Sequence, residues 1–350
     1  MANVELDTRS TVSGRRQFVG VGTTCNRAED LAARGGIYVF EIIQVNRAER
    51  HHEYNRALRL RYYEETKACV TAVDAINGYF LHSMGQKLYA KCFEQDERLL
   101  AVGFLDIKPY ATCLRIFKNF ILLGDAVKGI TLVAFQEEPY KLIELGHTYV
   151  DLKCSTVDFL VIDAKLAIVA TDLNGIIRIF EYNPTIQAIK LNFLNNCLFA
   201  FSFLSDIESQ GGQKLLCRTE FNTSSEMSCS MQFGKRLSPK DEAKVMGTFF
   251  ASLDGSISSL VPAKDAVYKR LQLVQTRLTR HIQHFAGLNP KGHRTVRNDM
   301  VSRAINRGIL DGELLMKFDL LSISQQREIA SLAGSDRETV LVNLQNLKGL

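Results

Sequence analysis

The chain has 350 residues with 46% apolar and 23% charged side chains, so it can build a sizeable core and differs from a disordered chain. That length suits one large domain plus a smaller one. No apolar stretch reaches the roughly 18 residues that span a bilayer, and the first residues lack a secretory signal, so we expect a soluble intracellular protein with no membrane partner. The net charge of +5 is modest, but it is unevenly distributed.

Five stretches share one pattern, an apolar run, a polar turn with glycine and then an alternating run, which predicts β-hairpins. The first four of their glycines are spaced by 49, 44 and 46 residues, and the last gap is 80. Such a fixed period indicates a repeat architecture. The glycines placed in these turns are Gly36, Gly85, Gly129, Gly175 and Gly255.

Further strand-like runs lie between the hairpins, so each period holds about four short strands. Four strands in roughly 40 to 50 residues are typical of a β-propeller blade. The alternative is a long antiparallel sandwich. About five or six blades are visible, which leaves closure of the ring open. These runs are 58–63, 70–76, 99–104, 114–117, 140–145 and 157–162.

Three polar segments with Gly, Ser or Pro are predicted to be loops on one rim, namely 205–214, 222–230 and 234–244. The eight cysteines are never closer than twelve residues, which excludes a C-x₂-C zinc knuckle. We expect buried, reduced thiols, in keeping with a cytosolic or nuclear compartment.

After Pro262 the apolar spacing becomes helical, from Val267 to Phe285, and Gly287 and Pro290 are predicted to end this helix. A second helix is expected around 296–305 and a third from "LDGELLMKF". A fourth is expected in "SISQQREIASLAG", with a capping box at its start. The sequence thus predicts propeller blades over 1–262 and a small all-α domain over 263–350.

Basic residues are concentrated in the tail, where residues 269–307 hold nine Lys or Arg against one acid. Such concentration favours contact with nucleic acid or an acidic partner, although a solvated helix face would look the same. We expect contact with RNA phosphates or an acidic subunit, without sequence-specific reading. The candidate contact residues are Lys269, Arg270, Arg277, Arg280, Lys291, Arg294 and Arg297.

Segments 268–294 and 309–322 resemble the C-terminus of the largest subunit of the cleavage and polyadenylation specificity factor. Segments 12–45 and 118–138 also look like that family, so the resemblance covers nearly the whole chain. The residues that carry it are Ala286, Gly287, Leu288, Asn289 and Pro290, followed by Asp311, Gly312 and Glu313.

The resemblance implies the C-terminal propeller and helical tail of a three-propeller scaffold, whose two preceding propellers this sequence lacks. The implied function is a non-catalytic nuclear scaffold in pre-mRNA 3′-end cleavage and polyadenylation. It would form hetero-oligomers with other subunits of that factor, with RNA contact as a secondary role. The alternative is an adaptor of the DNA-damage-binding branch, which presents substrates to a cullin ubiquitin ligase.

No residue pattern predicts a catalytic site, a cofactor site or a metal site. The glycines of "GVGTTCN" and "GDAVKG" fit hairpin turns better than nucleotide loops, because no Lys-Ser/Thr follows. His281, His284 and His293 could be imagined around zinc, but no fourth ligand is evident. A propeller hydrolase is a further alternative that the absence of clustered acids and bases disfavours.

Overall fold

The computed structural model of the chain describes residues 1–8, 14–28, 31–44, 56–94, 97–162, 165–184, 212–235, 245–290, 294 and 308–348. These residues are mainly β, in five antiparallel sheets with a β-propeller blade arrangement, followed by a few helices. The fold class predicted from the sequence is therefore confirmed. By internal contacts the chain groups into two units, 1–157 with 183–215 and 158–182 with 216–350. The predicted domain division after residue 262 stays a prediction.

The first three blades each have four strands, and neighbouring strands within a blade are consecutive in the chain. Their strands are β1 (Ala2–Asp7), β2 (Arg15–Cys25), β3 (Arg34–Gln44), β4 (Arg56–Thr66), β5 (Val73–Ile76), β6 (Tyr79–Met84), β7 (Lys87–Glu94), β8 (Arg98–Asp106), β9 (Ala111–Phe117), β10 (Phe120–Asp125), β11 (Gly129–Gln136) and β12 (Lys141–His147).

The first strands of these blades are neighbours, since β1 contacts β5 and β5 contacts β9. The apolar core lies between successive blades. Phe18, Ile37 and Val39 of the first blade pack with Phe80 of the second, and Leu81 packs with residues of the third. Because a single sheet cannot bury both of its faces, stacking of blades explains why the hairpin pattern repeats.

The last two sheets have four and three strands. Their strands are β13 (Cys154–Ile162), β14 (Lys165–Asp172), β15 (Ile176–Glu181), β16 (Leu216–Asn222), β17 (Met227–Lys235), β18 (Val245–Ser252) and β19 (Ile257–Leu260). Thus β19 ends just before Pro262, where the sequence pattern changes.

In the part of the tail that the structure describes there are four α-helices, named α1 (Asp265–His281), α2 (Gly312–Met316), α3 (Ile323–Leu332) and α4 (Arg337–Lys348). They enclose an apolar core in which Leu271, Val274 and Leu278 of α1 meet Phe318 and residues of the other helices. The predicted capping box opens α3, where the Ser322 hydroxyl accepts a hydrogen bond from the Gln325 backbone amide and the Gln325 side chain reaches back to residue 322.

Four of the five predicted turn glycines have the positive φ that such turns require, and Gly36 does not. The placement of Gly36 in a turn was wrong. It lies inside β3 and pairs with Thr23 of β2. A Cβ at residue 36 would come within 3.2 Å of the Tyr63 ring, so glycine serves close side-chain packing there.

Other boundaries also differ from the prediction. The loop expected over 222–230 is confined to residues 223–226, because Met227 begins β17 and pairs with Ser252 of β18. The helix α1 ends at His281 rather than near Gly287, since the Ile282 backbone is already extended while its amide still donates to the Leu278 carbonyl. The second predicted helix lies outside the described residues.

The expectation of buried cysteines holds for Cys154 but is wrong for Cys25 and Cys229, which are exposed free thiols. Cys25 is the last residue of β2, and Cys229 lies beside the register shift between β17 and β18. Cys229 is exposed although it pairs with Ala251 of β18, so an apolar pattern around a cysteine does not guarantee burial.

Candidate RNA and partner interface on the helical tail

The first helix of the tail presents arginines beside its buried stripe. Leu271, Val274 and Leu278 are buried on one side of α1. At 3.6 residues per turn, Arg270 and Arg277 fall together on one flank of that stripe. Arg280, three residues further along, continues the same basic surface onto the exposed side. We call Arg270, Arg277 and Arg280 the α1 arginines.

No acidic side chain within the described ranges forms an ion pair with any of the α1 arginines. Lys269 differs, because its ammonium nitrogen lies 2.6 Å from a carboxylate oxygen of Asp265, one turn earlier. This exposed pair neutralises Lys269 locally and contributes little to stability. Of the basic residues predicted on α1, the three arginines are therefore the ones whose charge is left for a partner.

Arg294 has its charge satisfied by the tail itself. Its Nε lies 3.3 Å from an Asp311 carboxylate oxygen, and its Nη2 contacts the Glu313 carboxylate. The guanidinium also lies over the Phe221 ring, 5.5 Å from its centre, and the Arg294 carbonyl accepts a hydrogen bond from the Asn222 amide. Arg294 thus joins the start of α2 to the end of β16. Lys291 and Arg297 lie outside the described residues.

The AGLNP segment forms a turn after α1. Ala286 and Gly287 both have positive φ, 49° and 71°, and the Gly287 amide donates to the His284 carbonyl. Alanine in this left-handed region costs about 1 kcal/mol, so the turn is held by its surroundings. The exposed Leu288 follows, and the Pro290 carbonyl accepts a hydrogen bond from the Arg294 amide.

The DGE segment starts α2. The Asp311 carboxylate accepts a hydrogen bond from the Leu314 amide at 3.1 Å, and the Asp311 amide donates to the Gln275 side chain of α1 at 3.0 Å. Gly312 has open space around its Cβ position and no positive φ. The structural role of this segment is therefore carried by Asp311 and Glu313, and both interact with Arg294.

The histidines of the tail bond to backbone. His281 Nδ1 lies 2.9 Å from the Arg277 carbonyl, and His284 Nε2 lies 2.7 Å from the Thr279 carbonyl, so each of these nitrogens is a donor. His293 lies outside the described residues. Over the described ranges, no group of three or more His, Cys, Asp or Glu side chains is placed to hold a metal ion.

A cavity of about 410 Å³ lies where the tail meets the last strands of its own unit, and sequence reasoning missed it. Its walls come from Leu160, Ile179, Leu260, Tyr268 and Leu344, among others, so no local pattern could reveal it. The Tyr268 hydroxyl accepts a hydrogen bond from the Gly308 amide at 3.0 Å. That bond fixes one wall of the cavity.

Sequence reasoning also missed a charged cluster in the first blade. The carboxylate of Glu41, only 3% exposed, accepts hydrogen bonds from Arg16, Arg59 and Arg61. We call these four residues the first-blade cluster. The signal was present in the sequence, because Glu41 interrupts the apolar run "IYVFEII" and a buried acid needs cationic partners.

Comparison with protein-family models matches residues 1–320 to the family described as the CPSF A subunit region. The chain belongs to this family. The resemblance drawn from the AGLNP and DGE segments is thus confirmed. The matched region of this CPSF A chain includes all described blades, α1, the AGLNP turn and α2, and it ends before α3.

Fungal proteins are among the curated relatives of this CPSF A chain. It is 29% identical to protein cft1 of Schizosaccharomyces pombe over 353 residues, which is 99% of this chain and 23% of the relative. It is 30% identical to protein CFT1 of Coccidioides immitis over 366 residues, 100% of this chain and 25% of the relative. It is 30% identical to protein CFT1 of Yarrowia lipolytica over 336 residues, which is 95% of this chain and 24% of the relative. The chain spans about a quarter of the length of these relatives.

Among the helices that lie in the described part of the chain, none is both long and apolar enough to cross a membrane.

Proposed function

We propose that this chain is a non-catalytic scaffold in nuclear pre-mRNA 3′-end cleavage and polyadenylation. It docks other subunits of the processing factor in a hetero-oligomer, and its α1 arginines contact RNA phosphates. The observation that carries the proposal is the match of residues 1–320 to the CPSF A subunit region. The blades over 1–262 supply the docking rims, and the helical domain over 263–350 supplies the basic surface.

The architecture supports docking because blades are rigid and their connecting loops project to the surface. Large apolar side chains also remain exposed on outer strands. Leu58 of β4 is 57% exposed and Phe104 of β8 is 59% exposed. Exposed apolar side chains of this size on a strand are typical of contact with other polypeptides.

The charge on α1 supports the RNA contact. From Arg270 to Arg280 the helix rises about 15 Å, which brings the α1 arginines within reach of two or three successive phosphates. Each phosphate that they neutralise releases counterions, so affinity should fall steeply with salt. Arginines on a helix flank, with no aromatic platform between them, fit backbone contact rather than base recognition.

The RNA contact is tested by measuring the affinity of an unstructured single-stranded RNA against salt concentration. Changing the three α1 arginines to glutamate should lower the slope of log K against log salt by about 2, since each single-strand contact contributes about 0.7. Lys269→Gln is the matched control, because Lys269 is already paired with Asp265. An unchanged slope in the triple variant would remove RNA from the proposed function.

Docking is tested by capturing partners from nuclear extract on the purified chain. Recovery of the endonuclease and poly(A)-signal-binding subunits is the expected result. Recovery of a cullin without them would favour the substrate-adaptor function of the DNA-damage-binding branch and overturn the proposed one.

A further inference from the structure

The first-blade cluster gathers three guanidinium groups around one carboxylate. Arg59 binds Glu41 through its Nη2 and Nε, at 2.7 and 3.2 Å, and Arg61 binds it through Nε at 2.5 Å. Arg16 contacts the other carboxylate oxygen. The arginine side chains are 33 to 51% exposed, while Glu41 is 3% exposed. The cluster is therefore a buried anchor with a solvent-facing cationic rim.

Strand register builds this cluster from segments that are far apart in sequence. Glu41 pairs with Arg59 on one side and with Phe18 on the other, so Arg16, two residues from Phe18, lies on the same face. A register shift between Val39 and Phe40 leaves Arg61 as an extra residue. Such a bulge redirects a side chain, and here it brings Arg61 to Glu41.

The charge within the cluster is unbalanced. Three arginines and one glutamate leave two positive charges, and no second acid in the described part of the chain pairs with these arginines. Each guanidinium has five N–H donors, and Arg61 uses only its Nε on Glu41. Donors on all three arginines therefore remain for an external anion, and Glu41 holds their side chains in place.

We propose that Arg16, Arg59 and Arg61 form a binding site for a phosphorylated serine or threonine of a partner polypeptide. A phosphate monoester carries a charge of about −2 near pH 7, which matches the excess charge of the cluster, and its three oxygens suit forked guanidinium donors. Glu41 is a positioning residue, because it acts through the arginines. The site belongs to the first compact unit of the chain and the α1 arginines to the second, so the proposal does not depend on the function proposed above.

An RNA phosphodiester fits this site less well. It carries a single negative charge, so it would leave one positive charge unmatched. The neighbouring aromatic pair, Tyr38 and Tyr63, has ring centres 4.7 Å apart. Tyr38 is an odd number of residues from Glu41, so this pair lies on the opposite face of the strand. Bases of a bound RNA could not stack on these rings while its phosphate occupied the cluster.

The test measures binding of the 350-residue chain to a degenerate pool of short peptides with phosphoserine at the centre, and to the same pool with serine. We expect binding of the phosphoserine pool alone, with displacement by inorganic phosphate. The double variant Arg59→Gln, Arg61→Gln should weaken it by about tenfold or more. Arg56→Gln should change it less than about twofold, since Arg56 is exposed on the same strand and does not contact Glu41.

Further arms of the experiment keep the result decisive. If the glutamine variant fails to fold, the variant Arg59→Lys, Arg61→Lys retains the positive charge. Its affinity for the phosphoserine pool should still fall several-fold, because lysine lacks the guanidinium fork. Equal binding of the two peptide pools would overturn the proposal. An equal loss of affinity in the Arg56→Gln control would also overturn it, because binding would then depend on the general positive charge of the strand and not on the cluster. Stronger competition by single-stranded RNA than by the phosphoserine pool would assign the site to RNA instead.

Discussion

The first-blade cluster and the α1 arginines use the same side chain in opposite ways. In the blade, three arginines converge on one buried carboxylate. On α1, three arginines along one helix have no acidic partner within the described ranges. The first arrangement fixes the positions of the guanidinium groups before any ligand arrives, whereas the second leaves them free to adapt.

That difference separates two kinds of recognition. A fixed group of donors can discriminate one anion from another, because a mismatched ligand leaves some donors unsatisfied. Arginines on a helix that no described acid holds in place contribute mainly charge, so they favour a salt-dependent contact with little selectivity. Under the two proposals, the first blade binds its ligand selectively and the tail attracts anions with little selectivity. The two groups of arginines should also differ in how much they stabilise the fold.

The largest effect should come from Glu41→Ala, which leaves three arginines without their shared partner. Removing one member of a buried ion pair typically costs about 3–5 kcal/mol, and the partial exposure of the arginines should reduce this to about 2 kcal/mol. Urea denaturation measures it. Glu65→Ala is the control, because Glu65 lies on the paired strand β4 but is exposed, so its loss should lower the free energy of unfolding much less. Equal losses would mean that Glu41 is not an anchor.

Arg294→Met should have the next largest effect, because Arg294 is the one tail arginine described here with two acidic partners. Asp311 is 7% exposed on its side chain and would keep only its capping hydrogen bond to Leu314. We expect a loss of about 1–2 kcal/mol in the free energy of unfolding and faster amide exchange at the start of α2. Exchange at α2 that matches the parent chain would show that Arg294 does not hold the tail.

The sequence predicted what depends on local periodicity. Alternating runs located the strands, and apolar spacing located α1 with its buried Leu271, Val274 and Leu278. Counting charges along the chain located the basic tail, but it could not show that Arg294 has acidic partners and that Arg277 has none among the described residues. Their environments differ because Asp311, seventeen residues after Arg294, returns to it in space.

The parts that the sequence did not predict depend on register. Gly36 was placed in a turn because two glycines follow a polar stretch, whereas β3 begins two residues earlier and uses glycine for packing. The first-blade cluster could not be predicted for the same reason, since it depends on strand register. Glu41 and Arg59 are eighteen residues apart, and only the β3–β4 pairing and its bulge bring them together. Residue spacing alone carries no information on such cross-strand pairs.

His82, a buried base in the second blade, should make the free energy of unfolding depend on pH by about 1 kcal/mol. His82 is 1% exposed, and within the described ranges neither ring nitrogen has a hydrogen-bond partner of good geometry. Burial, followed by repulsion from Lys91, lowers the pKa of His82 from 6.5 to about 3. Between about pH 3 and pH 6.5 the unfolded chain therefore binds up to one more proton than the folded chain. Stability should fall by about 1 kcal/mol between pH 6 and pH 5 from this group alone.

The matched variant is His82→Leu, which cannot titrate and leaves no polar partner behind. Its urea midpoint should change less than that of the parent chain between pH 6 and pH 5. If the urea midpoints of the variant and the parent chain changed equally with pH, His82 would be able to take up a proton within the folded blade. A buried base would then be tolerated without a charged partner, whereas the buried acid Glu41 has three.

The smallest effect should come from changing all three α1 arginines to alanine. Within the described ranges they have no ion-pair partner to lose, and alanine is at least as good a helix former as arginine. We expect the free energy of unfolding to stay within about 0.5 kcal/mol of the parent value, by the same urea measurement. A loss near that of Glu41→Ala would show that these arginines stabilise the fold. The tail would then hold a second structural cluster, and its charge would no longer be available to a partner.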